Sequence, residues 1–362
     1  MTHLRLYDDH VQRGASFMEQ QGWNVPAHYG DAVAEHHAVQ RTVGIMDLSH
    51  RGKILVTGDD RVKWLQRIIS NDILPLTTGE GVYSGFLTHK GHMLSYFRVY
   101  QLGASLLLED VGEIGDRTFL ALRKFLLYGT KATMEPCADN WGHLLVSGPQ
   151  ACGLIKAVCA VDMASLKLLS FLSVEMAGDR ALLIRSEETG RCDVSLLIPA
   201  NGLKAVWDRL WAVGETMGLT PFGAQALETL RMEAGIPKAG SDLNEQIVPP
   251  EANLEGKAFS LAKGCYPGQE VVARMDTYGS VRRRLVGLTV DGAVPPPHGA
   301  KLFSDAREVG WVSSAVRSPS LGTVIALGFP LRDFTAPGTS LSVEAHGARK
   351  AATVQTLPFV SP

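Results

Sequence analysis

The stretch Lys53-Ile54-Leu55-Val56-Thr57-Gly58-Asp59-Asp60-Arg61-Val62-Lys63-Trp64-Leu65 sets the reading of the fold. Residues 52–58 read as a strand that stops on a glycine. Asp59 or Asp60 can then accept a hydrogen bond from the free N–H groups of a helix over Arg61–Ser70. Val62, Leu65 and Ile69 fall on one face of that helix. The pattern returns at His143–Ser147, the turn Gly148-Pro149 and a helix over Gln150–Ala160 carrying Leu154, Ile155 and Val158. Strand–glycine–helix thus occurs twice, about ninety residues apart. This predicts an α+β protein with two related subdomains, over about 28–140 and 141–282.

The sequence around these two units is consistent with that division. Residues 1–40 read as irregular structure followed by a helix near Ala32–Gln40. Tyr83–Leu87, Met93–Tyr100 and Ser105–Glu109 form a meander with turns at His89-Lys90-Gly91 and Gly103, then a helix over Asp116–Leu127 ends at Gly129. Later come a hairpin turning at Gly178-Asp179, with Ala181–Arg185 as its return strand, and helices over Leu203–Met217 and Gly223–Ala234. From about Leu285 short strands alternate with prolines and glycines, which predicts a C-terminal all-β barrel over 283–362.

Composition narrows the classes of function. The 362 residues carry 35 Lys and Arg against 37 Asp and Glu, a formal charge of -2, so no global field favours nucleic acid. Arg282-Arg283-Arg284 is the one basic cluster and reads as a solvated lead into a strand. The five cysteines, odd in number and without a CxxC pair, predict reduced thiols and a cytoplasmic setting. The N-terminus lacks the apolar segment of a signal peptide, and the apolar runs are too short to cross a bilayer. No metal site is expected: the cysteines lack ligand spacing, and Glu35-His36-His37 reads as a solvated helix surface.

Several ordered motifs carry a family likeness. Tyr29-Gly30-Asp31, Glu35-His36, Val43-Gly44-Ile45-Met46-Asp47-Leu48-Ser49, Tyr83-Ser84-Gly85 and Leu230-Arg231-Met232-Glu233-Ala234-Gly235 resemble the folate-dependent aminomethyltransferase (T-protein) of the glycine cleavage system. Lys263-Gly264-Cys265-Tyr266-Pro267-Gly268-Gln269-Glu270 is similar instead to the signature of the YgfZ group, folate-binding relatives implicated in maintaining iron–sulfur enzymes. The resemblance implies three domains in a ring, with tetrahydrofolate entering a central hole.

It also implies roles for particular residues. Glu233 matches a glutamate that accepts paired hydrogen bonds from a pterin, as a carboxylate can. Arg231 beside it and Gln269 in the signature are further cofactor contacts, and Tyr83 and Tyr100 could stack on the ligand, although strand aromatics usually pack a core. Cys265 and Lys263 form the working loop, where a nearby cation would lower the thiol pKa. Read alone, Cys265 is a small apolar residue.

The aminomethyltransferases follow a glycine pair with adjacent aspartates, where this chain has Ser95-Tyr96. Neither side chain supplies a carboxylate's charge. Asp47 and Asp110 are too remote in the matched pattern to be obvious substitutes.

The leading expectation is therefore a tetrahydrofolate-binding protein acting with iron–sulfur enzymes or their assembly proteins in maturation or repair. The alternative is a tetrahydrofolate-dependent aminomethyl- or methyltransferase. A third reading is a binding module without folate.

Overall fold

The computed structural model describes residues 1–111, 116–277 and 281–361. The chain opens with β1 (Thr2–His3), α1 (Tyr7–Gln12), β2 (Ser16–Gln20) and β3 (Trp23–His28). These three strands form a small sheet in the order β1-β3-β2, where the sequence reading expected irregular structure. Shortness and Pro26 inside β3 hid it, since proline counts against a strand. Next come α2 (Ala32–Arg41), β4 (Val43–Asp47), β5 (Lys53–Thr57), α3 (Arg61–Gln66), β6 (Gly81–Leu87), β7 (Met93–Gln101), β8 (Leu106–Asp110), α4 (Asp116–Arg123) and β9 (Thr133–Pro136). Asp60 does not cap α3. Its carboxylate accepts the Lys131 N–H instead, at 2.9 Å.

The second stretch holds β10 (Trp141–Ser147), α5 (Ala151–Cys159), β11 (Phe171–Met176), β12 (Asp179–Ser186), β13 (Asp193–Pro199), α6 (Leu203–Gly214), β14 (Leu219–Pro221) and α7 (Ala224–Glu233). After α8 (Gln269–Thr277), the strands β15 (Val286–Val290), β16 (Lys301–Ser304), β17 (Arg307–Arg317), β18 (Val324–Gly328), β19 (Ser340–Ala345) and β20 (Ala348–Gln355) close a barrel. No helix among the described residues is long and apolar enough to cross a membrane.

Besides the small N-terminal sheet, two larger sheets precede the barrel. One has the order β6-β7-β8-β5-β9; the other runs β11-β12-β13-β10-β4-β14. β10 is central in the second, paired with β13 and β4, and its Leu144-Leu145-Val146 run is fully buried. Period-two alternation sends Leu144 and Val146 to the face covered by α5 and α6, and Leu145 to the face covered by α2 and α7. The same alternation splits β7: Phe97 and Val99 face α3, while Tyr96 and Tyr100 face inward.

That inward face meets two others. Ile184 and Leu197 of the second sheet, and Ile325 and Leu327 on the outside of the barrel, join Tyr96, Tyr100 and Leu107 in one apolar cluster. The three units are thus packed around a common centre. This is the α+β, barrel-terminated architecture expected from the sequence.

Both strand–glycine–helix turns need their glycine. Gly58 and Gly148 have φ of +96° and +121°, and a Cβ would lie 2.3 Å from the Lys131 carbonyl oxygen in one case and 2.6 Å from that of Thr42 in the other. Gly148→Ala should therefore cost about 1–3 kcal/mol of stability, read from urea unfolding.

One cysteine expectation is corrected. Cys152, at the start of α5, and Cys192, just before β13, form a disulfide, while Cys137, Cys159 and Cys265 are free. The pair stands 40 residues apart in sequence and is brought together only by the sheet.

Candidate active site between the three units

The five residues joining β4 to β5, Leu48-Ser49-His50-Arg51-Gly52, are all buried or nearly so. The turn is fixed locally: the Ser49 N–H and hydroxyl both donate to Asp47 Oδ1, at 2.9 and 2.5 Å. His10 Nε2 lies 3.2 Å from the other oxygen of Asp47. This geometry projects Arg51 into the interior. Its Nη1 and Nη2 donate to the two oxygens of Glu188 at 2.8 and 2.9 Å, and Arg98 Nη2 donates to the same carboxylate at 2.5 Å. Glu109 accepts from Arg98 Nη1 at 3.4 Å and from the Tyr100 hydroxyl at 3.0 Å. Lys53 Nζ donates to the Arg51 carbonyl at 2.9 Å.

Three cations therefore share the interior with two carboxylates. Burial opposes the charge on Glu188, but Arg51 and Arg98 outweigh it and pull its carboxyl down to about 2. Burial pushes Lys53 down to about 8. Burial and the adjacent Arg51 take His50 down to about 3, so its imidazole is neutral at physiological pH.

A cavity of about 720 Å³ opens beside this network. Met46, Leu48, His50, Arg51 and Val111 line one side, and Glu188, Leu227, Glu228 and Arg231 another. The barrel contributes Val316 and Arg317. His50 is only 6% exposed, and its Nδ1 has no hydrogen-bond partner among the described residues. An orphaned buried nitrogen on a cavity wall is a common sign of a ligand site.

Of the residues singled out in the sequence, only Arg231 lines this cavity. Its guanidinium is tied to Asp242 (2.9 Å), the Ile236 carbonyl, Ser314 and Glu228. Glu233, 1% exposed, lines neither this cavity nor its neighbour. Its two oxygens receive His36 Nε2 (2.9 Å), Gln40 Nε2 (3.0 Å), the Ser318 hydroxyl (2.5 Å), and the Ser320 N–H and hydroxyl (3.2 and 2.8 Å). Five donors fill a carboxylate that offers about four lone-pair sites. A pterin at this carboxylate would have to displace some of them. His36 is correspondingly fully buried, not the solvated surface residue expected.

Tyr83 stacks on Tyr96 with ring centroids 5.4 Å apart, and Tyr100 is held by Glu109. Both are core residues. Lys263 Nζ donates to the carbonyls of Gln66, Ile69 and Asn71 at 2.7, 2.5 and 3.0 Å, closing the turns after α3. The ammonium expected beside the Cys265 thiol is thus committed to backbone. Cys265 itself is exposed, and Gln269 Nε2 donates to the Lys263 carbonyl at 3.3 Å.

Ser95 is buried, and its hydroxyl lies 3.1 Å from Thr118 Oγ1, which also donates to Asp110 Oδ1 at 3.0 Å. Asp110 is therefore one hydroxyl away from the position of the missing acids, not remote as its place in the sequence suggested.

Comparison with known proteins agrees with this layout. The model of the GCVT N-terminal domain matches residues 6–260, and that of the glycine cleavage T-protein C-terminal barrel domain matches residues 283–361. The aminomethyltransferase of Halothermothrix orenii is 30% identical over 362 residues, covering 99% of this chain and 100% of that protein. The aminomethyltransferase of Moorella thermoacetica is 32% identical over 357 residues, covering 98% and 96%. The crystal structure of the glycine cleavage system aminomethyltransferase T from Bartonella henselae superposes with a TM-score of 0.89 at 24% identity, covering 99% of this chain and 98% of that one. That structural likeness concerns the fold. The chain belongs to the glycine cleavage T-protein family, a folate-dependent aminomethyltransferase superfamily.

Tetrahydrofolate is the cofactor of this family, and the central cavity fits it. The volume suits a ligand of that size. Met46, Leu48, Val111 and Val316 offer apolar walls to a flat ring, His50 an orphaned nitrogen, and Arg317 an exposed cation for the carboxylates of the tail.

Proposed function

We propose that the chain transfers a one-carbon unit, as an aminomethyl or methyl group, to tetrahydrofolate bound in the 720 Å³ cavity. The observation that carries this reading is the junction itself. A buried Arg51–Glu188–Arg98 network opens on a cavity walled by all three units. When bound, the folate supplies a ring nitrogen that accepts the one-carbon unit. Glu188, kept ionised by its two arginines, offers a charged acceptor for ring N–H groups. His50, kept neutral, can either donate or accept at Nδ1. The apolar wall excludes water, which strengthens both contacts.

Calorimetry with tetrahydrofolate on the full chain tests the first half of the proposal. Glu188→Gln should weaken binding about tenfold or more, and no heat at millimolar ligand would overturn the reading. Turnover with aminomethylated lipoyl protein and with N-methylated amines tests the second half.

The curated relatives named aminomethyltransferase favour this reading over a role in iron–sulfur enzyme maturation. Cys265→Ala separates the two. The exposed thiol lines neither cavity, so the substitution should leave turnover unchanged and stability within about 0.5 kcal/mol of the parent. A loss of iron–sulfur enzyme activity in cells carrying that variant, with turnover intact, would support the other role.

A further inference from the structure

A second cavity, of about 540 Å³, adjoins the first, and Gln21 and His50 line both. Gln21 is at the tip of the β2–β3 hairpin. The register pairs Gln20 with Trp23, so the turn is the two residues Gln21-Gly22, with φ of +54° and +81°. Two positive φ values in a two-residue loop give a tight turn whose twist matches its strands. The Gly22 N–H donates to Glu19 Oε1 at 2.7 Å, and the Gly22 carbonyl accepts from the Thr2 N–H at 2.8 Å. Met18, Glu19 and Gln20 join Gln21 on the wall of the first cavity, and Trp23 is on the wall of the second. One hairpin tip therefore borders both.

The tip is lightly held and the foot is firmly held. Among the described residues β2 pairs with β3 alone and has no buried side chain; Met18 is 42% exposed. Phe17 rests on Tyr7 of α1, with ring centroids 4.6 Å apart. A two-stranded hairpin is marginal in water by itself, so its order depends on what its foot is fixed to and what its tip touches. At the foot Val25, Pro26 and Ala27 are buried, and a Cβ on Gly223 at the start of α7 would lie 2.3 Å from the Ala27 carbonyl oxygen. The residues flanking the hairpin then meet: the Tyr29 hydroxyl lies 2.8 Å from His10 Nδ1. His10 is fully buried, edge-on to Trp207 at 5.5 Å between centroids, and its Nε2 reaches Asp47. Burial, with Asp47 and Glu35 nearby, pushes the Tyr29 hydroxyl up, so it stays protonated. Burial opposes the charge on Asp47, but the hydrogen bond from His10 leads the contacts that hold it ionised. An ionised carboxylate only accepts, so Nε2 carries the proton on that side. The other oxygen of Asp47 orders the turn that presents His50 and Arg51. Three side chains thus connect the foot of the hairpin to the site turn.

We propose that the β2–β3 hairpin is a strap that closes over a ligand in the first cavity, and that His10 is the positioning residue coupling this strap to the site turn. With tetrahydrofolate as the ligand, the inference rests on the transferase reading. A ligand filling the cavity would cover Met18 and give the tip the contacts that β2 lacks. Opening the strap would release it.

Hydrogen exchange on the full chain, with and without saturating tetrahydrofolate, tests the strap. Exchange over residues 16–28 should slow about tenfold or more with the ligand. The β19–β20 hairpin has the same kind of turn, with φ of +53° and +75° at His346-Gly347, and lines neither cavity, so its exchange should not change. For the clasp, His10→Leu should speed exchange over 16–28 in the ligand-free chain and weaken tetrahydrofolate binding, each about tenfold. His10→Gln supplies a donor for Asp47 and an acceptor for the Tyr29 hydroxyl, and should bring both quantities within about threefold of the parent. Should His10→Leu fail to fold, Tyr29→Phe decides: it removes only the bond between the two flanks of the hairpin, and should still speed exchange and folate dissociation. Folate binding with unchanged exchange over 16–28, or with equal slowing in the β19–β20 hairpin, would overturn the strap alone. His10→Gln no better than His10→Leu, or parent-like exchange in Tyr29→Phe, would overturn the coupling through His10. A chain that binds no tetrahydrofolate would overturn the transferase reading and the strap together.

Discussion

Glu188→Ala should destabilise the protein by about 3–5 kcal/mol, a large part of the 5–15 kcal/mol typical of a whole domain. Removing the carboxylate strands two arginines, one 7% exposed and the other fully buried, facing each other. Glu109 alone cannot compensate, with its oxygen 3.4 Å from Arg98 and 3.7 Å from Arg51. The pH dependence follows from the same group. Its carboxyl lies at about 2 in the folded chain against an ordinary value of 4.5. A lowered folded-state value means that the contribution is complete above the ordinary value and disappears as pH falls towards 2. A difference of that size corresponds to about 3 kcal/mol, consistent with the substitution. Urea unfolding at pH 7 gives the first quantity. Acid titration between pH 6 and pH 2 gives the second, and the alanine variant should lack this component. A parent-like unfolding curve for Glu188→Ala would mean that the arginines are not held by this carboxylate.

Glu233→Gln should cost about 2–3 kcal/mol. The carboxylate collects donors from α2 (His36 and Gln40) and from the Ser318–Ser320 segment that joins β17 to β18. Burial opposes its charge, yet the hydrogen bonds from His36, Ser318 and Ser320 outweigh that cost and hold the carboxyl below its usual range. An amide keeps the shape but replaces one acceptor oxygen by a donor, so at least one of the five partners is turned away. The loss should appear as a lower unfolding midpoint with tetrahydrofolate affinity little changed. If stability held and folate affinity collapsed, the pterin-binding role expected from the sequence would be correct, and the saturated carboxylate would have to open on binding.

Local signals carried much of the fold. The turns at Gly58 and Gly148 could be read because a strand, a glycine and an amphipathic helix lie within twenty residues of each other. The barrel was visible as short strands broken by prolines. The N-terminal sheet was not, because β1 has two residues and β3 contains Pro26.

The site was far less legible. Arg51 and Glu188 are 137 residues apart, and a lone arginine after a strand reads as surface unless its partner is known. His50 offered no spacing at all. A hint existed in the matched stretch ending at Ser49, whose next two residues are the ones that reach the cavity. Glu233 and Lys263 stand out in the sequence, and in the structure each ties separate segments together. A sequence motif cannot distinguish a carboxylate that waits for a ligand from one already surrounded by donors.

The apolar cluster shared by both sheets and the barrel has a consequence for how the molecule comes apart. No unit owns the face that Tyr100, Ile184 and Leu327 bury jointly, so detaching any one of them wets the other two. Heating should therefore melt the chain in a single step, with calorimetric and van't Hoff enthalpies in agreement, and a fragment cut at residue 282 should emerge sticky rather than native.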